Sequence, residues 1–382
     1  MTFIVLLGSN YRTETGIEGV EQQLPRLLSR YGKVYCFEYP QFKKSLKILN
    51  GSFPLFEKIG RNLHIFRSCG LLPYGRSVPY INRLNHVLNY RFFQRVMKTI
   101  SSPIITIAFT PEVVYLPHLI NRSEKVFYYV TDNYYALPFW SGRGGKQLSD
   151  LESSLLPNLK GIITASYPLV KKYRKLHKNV HLYMTPSSNL KAYAKASREN
   201  TIPADLARLP RPIVGFVGSV YDWKIDLPLL VTLLTRYPRY SFVFVGTLQI
   251  KNRTRKLLQN YGNFHFLGFK DIRELPAYIA SFDVCMIPYI QNSWGHAAYP
   301  VKVNQYLAAG KPIVSTAIES LQYLHDVNLI YWSKNHKEFI GNMGKAVRED
   351  MKDKKIVRAR IKEGMRNDWS VRIREYMKII TS

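Results

Sequence analysis

Short apolar runs, bounded by turn residues, alternate with longer helical patterns along almost the whole chain. That alternation constrains the fold to parallel α/β domains, because a parallel strand needs a long crossover and is buried on both faces. The first series of runs is Phe3–Leu7, Val34–Phe37, Ile104–Ala108, Val126–Val130 and Ile162–Thr164. A second comprises Ile213–Val217, Phe242–Val245, Phe264–Leu267, Val284–Ile287, Ile313–Ser315 and Leu329–Tyr331. Between them, Thr185-Pro186-Ser187-Ser188-Asn189 and a polar stretch to Arg211-Pro212 read as a linker. The chain of 382 residues is long enough for two domains, expected over 1–195 and 205–367 with the boundary near residue 200. The tail from Lys352 is helical in pattern, and its last helix, 368–382, is expected to cross back and complete the first domain through Trp369, Ile373, Tyr376 and Met377.

With 46% hydrophobic and 13% aromatic residues the chain is not a disordered one. It has no apolar run of about 18 residues, the length a membrane-spanning helix needs. Met1 to Gly8 runs directly into a strand pattern without the parts of a signal peptide, so the chain is expected to stay in the cytosol. Cys36, Cys69 and Cys285 are odd in number, far apart and lack metal-ligand spacing, so they read as buried thiols and no metal is expected. The charge stands out: 55 Lys and Arg against 26 Asp and Glu give +29. Such a field attracts nucleic acid, anionic lipid or anionic small substrates, but says nothing about fold.

Local chemistry narrows these choices. In Tyr299-Pro300-Val301-Lys302-Val303-Asn304-Gln305-Tyr306-Leu307-Ala308-Ala309-Gly310-Lys311-Pro312, Pro300 suits a first helical residue, Gly310 a C-terminal cap, and Pro312 cannot continue the helix. Lys302 in the first turn opposes the helix dipole, a placement understandable if a phosphate normally sits there. Gln305, three residues on, shares its face; the alternative is a solvated Lys and Gln on an amphipathic helix. Upstream, Gly218-Ser219-Val220 follows an apolar strand, where Gly218 admits close backbone approach and Ser219 offers a hydroxyl; the alternative is a plain turn. A third strand ends at Tyr289 and feeds a donor-rich loop of about ten residues, Ile290 to Tyr299, in which His296 reads equally as a phosphate or sugar ligand and as a surface histidine. In the first domain, Thr131-Asp132-Asn133 places a carboxylate at the end of an apolar strand, either as a general base or as a turn aspartate. Gly8-Ser9-Asn10 ends the first strand, and G-x-G-x-x-G, Walker and Ser-His-Asp patterns are all missing.

Gly215-Phe216-Val217-Gly218-Ser219, Pro300-Val301-Lys302 and Tyr306-Leu307-Ala308-Ala309-Gly310-Lys311-Pro312 together resemble the donor domain of GT-B glycosyltransferases of the family-4 group. That group usually has Glu where this chain has Gln305, and Lys-x-x-Gln-Tyr is similar to the xanthan glucuronosyltransferase, a membrane-associated, metal-independent enzyme. The resemblance implies a GT-B α/β fold, two Rossmann-like parallel-sheet domains facing each other across a cleft. It further implies a nucleoside-diphosphate sugar as substrate, UDP-linked and in one version UDP-glucuronate, with no cofactor. Gly218, Ser219, Val220, Tyr289, His296, Tyr299, Pro300, Val301, Lys302 and Gln305 would form its binding region. Asp132 would be the base that activates the acceptor hydroxyl, with Gly8, Ser9, Asn10 and Asn133 on the acceptor side. The acceptor would be a polyprenyl-diphosphate-linked or other glycan in bacterial cell-surface polysaccharide synthesis. Direct attack would invert the anomeric centre, whereas the family-4 likeness implies retention, so both outcomes stay open.

A peripheral position on the cytoplasmic face of the inner membrane fits the segment Asn82–Lys98. Its Leu84, Val87, Leu88, Phe92 and Val96 recur at helical spacing among Arg83, Arg91, Arg95 and Lys98, suiting an anionic bilayer or, alternatively, the domain core. Two other readings carry weight. A GT-B-shaped UDP-sugar epimerase would need acid and base carboxylates around the sugar, and few lie near the cradle. A nucleic-acid- or polyanion-binding protein is suggested by charge alone, and no nucleic-acid motif accompanies it.

Overall fold

The computed structural model describes residues 1–9, 11, 19–40, 42, 45, 48, 54–68, 70, 72, 78–100, 103–112, 116–137, 143–199, 201–349 and 353–382. The chain divides into two compact units, Met1–Met184 with Glu375–Ser382, and Thr185–Arg374.

The first unit holds an eight-stranded sheet of β1 (Thr2–Leu6), β2 (Lys33–Phe37), β3 (Phe56–Ile59), β4 (Leu63–Phe66), β5 (Ile104–Ala108), β6 (Lys125–Val130), β7 (Gly161–Thr164) and β8 (Val180–Leu182). Their spatial order is β3-β4-β2-β1-β5-β6-β7-β8. All pairs are parallel except the edge pair β3–β4. The central strands are apolar on both faces because helices cover both, and Phe3 to Leu6 and Ile104 to Ala108 are buried. β3, β4 and β8 were not expected from the sequence. They lie toward the sheet edges and are short, and Phe56-Glu57-Lys58-Ile59 carries charge where the central β1 and β5 carry none.

The second unit is built on β9 (Ile213–Val217), β11 (Ser241–Val245), β13 (Phe264–Phe266), β14 (Val284–Ile287), β15 (Ile313–Thr316) and β16 (Tyr331–Ser333), ordered β13-β11-β9-β14-β15-β16. These strands pair in parallel throughout. A separate two-residue ribbon pairs β10 (Val220–Tyr221) with β12 (Leu248–Gln249). The last strand starts at Tyr331, two residues beyond the expected Leu329, because Leu324 O takes the Leu329 N–H and closes the preceding helix.

The unit boundary falls at Met184 and Thr185 rather than near residue 200. The stretch expected as a linker contains a helix, Leu190–Glu199, that packs on helices Leu275–Ser281 and Lys302–Ala308 of the second unit. Asp368 Oδ2 accepts the Leu190 N–H at 2.9 Å and fixes its start. The final helix, Trp369–Thr381, changes allegiance at Glu375 rather than at 368. Buried Tyr376 then packs edge-on to Tyr183, with ring centroids 5.1 Å apart.

Helix Pro79–Lys98 corrects the expected apolar stripe. Its buried residues include Asn85, His86, Phe93 and Met97, whereas Val87 and Phe92 are exposed and Leu84 and Val96 half-buried; the side chain of Leu88 lies outside the description. Phe93 meets Phe37 at 5.0 Å and anchors the inner face. Arg83, Val87, Arg91, Phe92, Arg95 and Lys98 remain outward. Among the described residues no helix is long and apolar enough to cross a membrane. Cys36 and Cys285 are buried free thiols, and Cys69 lies outside the described residues.

Candidate functional site

At the carboxyl end of β9, Gly218 adopts φ +132, a region that side-chain-bearing residues rarely enter. A Cβ there would lie 2.7 Å from Lys302 Nζ, so the missing side chain makes room for the lysine. Lys302 opens helix Lys302–Ala308. That helix starts two residues after the expected Pro300, which instead supplies the carbonyl that accepts the Val303 N–H at 2.9 Å. Gly310, at φ +70, ends it as expected, and Lys311 N–H closes back to Tyr306 O at 3.1 Å. Two side chains pin the helix to the sheet and to the start of the unit. Tyr306 Oη accepts the Val217 N–H at 2.8 Å, and buried Asn304 accepts from Tyr299 Oη at 2.9 Å while donating to Thr185 O at 3.4 Å. At seven residues the helix is too short for its dipole to carry an anion site, and the chemistry rests on the lysine.

Lys302 Nζ is buried and has no hydrogen-bond partner among the described residues. It lies 3.6 Å from the centroid of the Phe216 ring and 5.3 Å from that of Tyr289. Burial, with the Lys224 ammonium nearby, pulls its pKa well below the ordinary lysine value. Aromatic faces attract a cation but do not replace its lost hydrogen bonds. An anion does both. Lys224, which the sequence reading passed over, sits 5.0 Å from the Tyr289 ring and 5.8 Å from that of Trp294, so two ammonium groups approach one tyrosine. Backbone bonds hold Lys224 there: its carbonyl accepts the Ile290 N–H at 3.0 Å and Pro288 O accepts the Asp226 N–H at 2.9 Å. Lys224 follows the Gly218-Ser219 turn by five residues, a spacing that was its only signal in the sequence.

The remaining residues of the donor region divide. Ser219 Oγ accepts from Thr247 Oγ1 at 2.9 Å, and Val220 is buried in the β10–β12 ribbon. Tyr289 is buried, its carbonyl held by Thr316 Oγ1 at 2.8 Å. The stretch expected as an open loop contains a short helix, Ser293–Ala297, because Asn292 Oδ1 caps it by accepting from Trp294 N at 3.0 Å and Gly295 N at 2.9 Å. His296 is exposed on that helix, whereas Trp294 is buried and its Nε1 has no partner among the described residues. Tyr299 is buried and committed to Asn304, a structural duty in place of an open ligand position. Pro300 and Val301 form the turn into the helix, where Val301 O accepts from Ser187 Oγ at 3.1 Å. Gln305 is partly exposed on the second turn.

In the first unit, Gly8 and Ser9 line a cavity of about 180 Å³ at the carboxyl ends of β1 and β5, together with Glu21, Thr110, Glu112 and Tyr134. Ser9 donates both its N–H and its hydroxyl to Glu21 Oε2 at 2.9 Å. Glu21 and Glu112 were not singled out in the sequence, where each is one carboxylate in an ordinary segment. Asp132 follows β6 as expected. Its Oδ1 accepts the Asn133 N–H at 2.9 Å and its carbonyl the Tyr134 N–H at 3.1 Å, the bonding of a turn aspartate, and both Asp132 and Asn133 are half-buried. Burial, Glu21 and Asp132 together push the Tyr134 phenol upward, against its bond to Thr131. Asn10 lies outside the described residues.

Residues 211–349 match the family model described as Glycosyl transferases group 1. This segment of the second unit, a little over a third of the chain, is therefore similar to the group 1 glycosyltransferases. Over 176 residues it is 26% identical to a protein of Bacillus subtilis (strain 168) named as the teichuronic acid biosynthesis glycosyltransferase TuaH; the match covers 44% of this chain and 42% of that one. The GT-B fold extends over both units. Sucrose-phosphate synthase from Thermosynechococcus elongatus superposes with TM-score 0.74 at 14% identity, covering 98% of this chain and 97% of that one. HepE of Anabaena, in complex with UDP, gives 0.65 at 14% identity over 100% and 99% of the two chains. WaaG, a glycosyltransferase of lipopolysaccharide biosynthesis, gives 0.65 at 12% identity over 100% of each. The group 1 match spans the Gly218 turn, Lys224, Tyr289 and the Lys302 helix.

Proposed function

We propose that this chain is a glycosyltransferase of bacterial cell-surface polysaccharide synthesis, moving a sugar from a nucleoside-diphosphate sugar to a hydroxyl of a lipid-linked glycan. The observation that carries the donor half is the buried ammonium of Lys302 against Gly218 and Phe216, which has no hydrogen-bond partner among the described residues. A diphosphate supplies the charge and the acceptor oxygens this group lacks, and Lys224 adds a second cation. As the sugar leaves, negative charge grows on the diphosphate, and preplaced cations stabilise it where it develops. A UDP-linked donor is supported by the UDP complex among the structural neighbours, and a carboxylated sugar such as glucuronate suits a doubly cationic pocket. Asp132 is the proposed base, taking the proton of the acceptor hydroxyl as the new glycosidic bond forms.

The outward face of helix Pro79–Lys98 supports a peripheral position on an anionic bilayer. Arg83, Arg91, Arg95 and Lys98 flank exposed Phe92, which reaches half-exposed Phe56 through Phe66 at centroid distances of 5.7 and 5.1 Å. Each Lys or Arg at such a surface adds on the order of 1 kcal/mol.

Thermal-shift and calorimetric titration of the full chain with UDP-, GDP- and dTDP-sugars, UDP-glucuronate included, tests the donor assignment. Lys302→Ala is expected to weaken UDP binding more than tenfold, while Asp132→Asn keeps binding and removes transfer. Failure to bind any nucleoside diphosphate would sink the donor reading, and near-normal turnover of Asp132→Asn the base.

A further inference from the structure

The second unit has a further recess at the opposite, amino-terminal edge of its sheet. It measures about 580 Å³, and its walls include Ile202, Arg211, Ser281, Asp283, Ala309 and Lys311. The strands place it: Asp283 N–H binds Ile213 O and Cys285 N–H binds Pro312 O, both at 2.9 Å, where β9, β14 and β15 begin. Gly218 and Tyr289 lie beyond the other ends of β9 and β14. Its volume falls in the range of small-ligand sites, roughly 300–1,000 Å³.

Charge in the recess is unevenly spent. Arg211 Nη2 donates to Asp283 Oδ1 at 2.6 Å and to Ser281 O at 3.1 Å, while Asp283 Oδ2 accepts the Ile213 N–H at 2.6 Å. Both carboxylate oxygens are therefore engaged. Lys311 has neither a hydrogen bond nor an ion pair from its side chain among the described residues, although it is partly buried and lines the same wall. Burial draws its pKa downward, with Arg211 acting in the same direction and Cys285 and Asp283 opposing. A lysine on a free surface would extend into water. Here the side chain is half-buried and lines a recess walled by both polar and apolar residues.

We propose that this recess is a second anion site, in which Lys311, with Arg211 beside it, takes a small oxyanion such as a phosphate monoester or a carboxylate. Lys311 directly follows the Gly310 cap of the helix that begins at Lys302, about 10 Å long for seven residues. Its N–H bonds Tyr306 O, and Tyr306 Oη holds the β9 end beside Gly218. The two anion positions therefore sit at opposite ends of one rigid element.

The test uses the full chain carrying Lys302→Ala, which removes the first position and makes the result independent of the donor reading. Calorimetric titration with inorganic phosphate and, separately, malonate should show one remaining site, the tighter probe identifying the oxyanion class. Adding Lys311→Met, which keeps the stem length, should weaken that binding more than tenfold. Ile202→Trp, at a half-exposed wall position, should do the same by filling the space while the lysine stays. Unchanged affinity in both double variants, or no binding of either probe to Lys302→Ala, would overturn the proposal.

Discussion

Replacing Lys302 with Met keeps a stem of similar length over Phe216 and deletes the ammonium. A buried polar group without a partner costs roughly 1–3 kcal/mol, and more when charged. The cation–π attraction to Phe216 and Tyr289 returns about 0.5–2 kcal/mol. The difference leaves the Met variant about 1 kcal/mol more stable than the parent in the absence of ligand, worth about 2–4 °C in Tm for a unit of this size. The pH dependence has a definite sign. Lys302 is held below its ordinary value near 10.5, so between the lowered and ordinary values the unfolded chain binds more protons than the folded one. Parent stability therefore rises with pH across that window, and the advantage of the Met variant closes. Nucleotide affinity moves the opposite way: a diphosphate favours the charged lysine, so binding takes up a proton and weakens as pH rises through the lowered pKa. Differential scanning calorimetry across a pH series, with and without UDP, reads both effects. A Tm drop in the range of a core truncation, about 2–5 kcal/mol, or a UDP-induced shift equal to that of the parent, would refute the reasoning.

Gly218→Ala should cost about 1–3 kcal/mol from its φ of +132 alone. It should also abolish UDP binding by displacing Lys302, with part of the stability loss relieved in the double variant with Lys302→Met, as a thermodynamic cycle would show. In Gly364→Ala the new Cβ would lie 2.4 Å from Ala308 N and 2.9 Å from Asn304 O, forcing helix Lys354–Arg366 off the Lys302 helix; a loss of about 1–3 kcal/mol by urea unfolding is expected. Reversing Arg83, Arg91 and Arg95 to Glu should reduce sedimentation with phosphatidylserine vesicles by at least tenfold and leave Tm unchanged, since all three are exposed.

Much of this was readable from local pattern. β1, β5, β6, β9, β11 and β14 announce themselves because strands buried on both faces must be apolar throughout. Gly310 and Pro312 end the Lys302 helix by backbone constraints that belong to the residues themselves, and the sequence placed Lys302 in its first turn. What it left open depends on partners distant along the chain. Whether Lys302 is solvated or buried without a partner is decided by Phe216 and Gly218, more than eighty residues earlier, and the helix is held by a Tyr306–Val217 bond spanning 89 positions. Lys224 joins the site only because β14 returns Tyr289 beside it. The Pro79–Lys98 helix shows the same limit: helical spacing marked an apolar stripe, but Val87 and Phe92 of that stripe turn outward while Phe93 packs on Phe37. Sequence alone determined the α/β class and the short helix with its lysine, because these follow from backbone geometry and two-sided burial. Tertiary structure decided that the lysine's Nζ is buried without a hydrogen-bond partner among the described residues, because desolvation is a property of the neighbours that folding assembles and not of the residue.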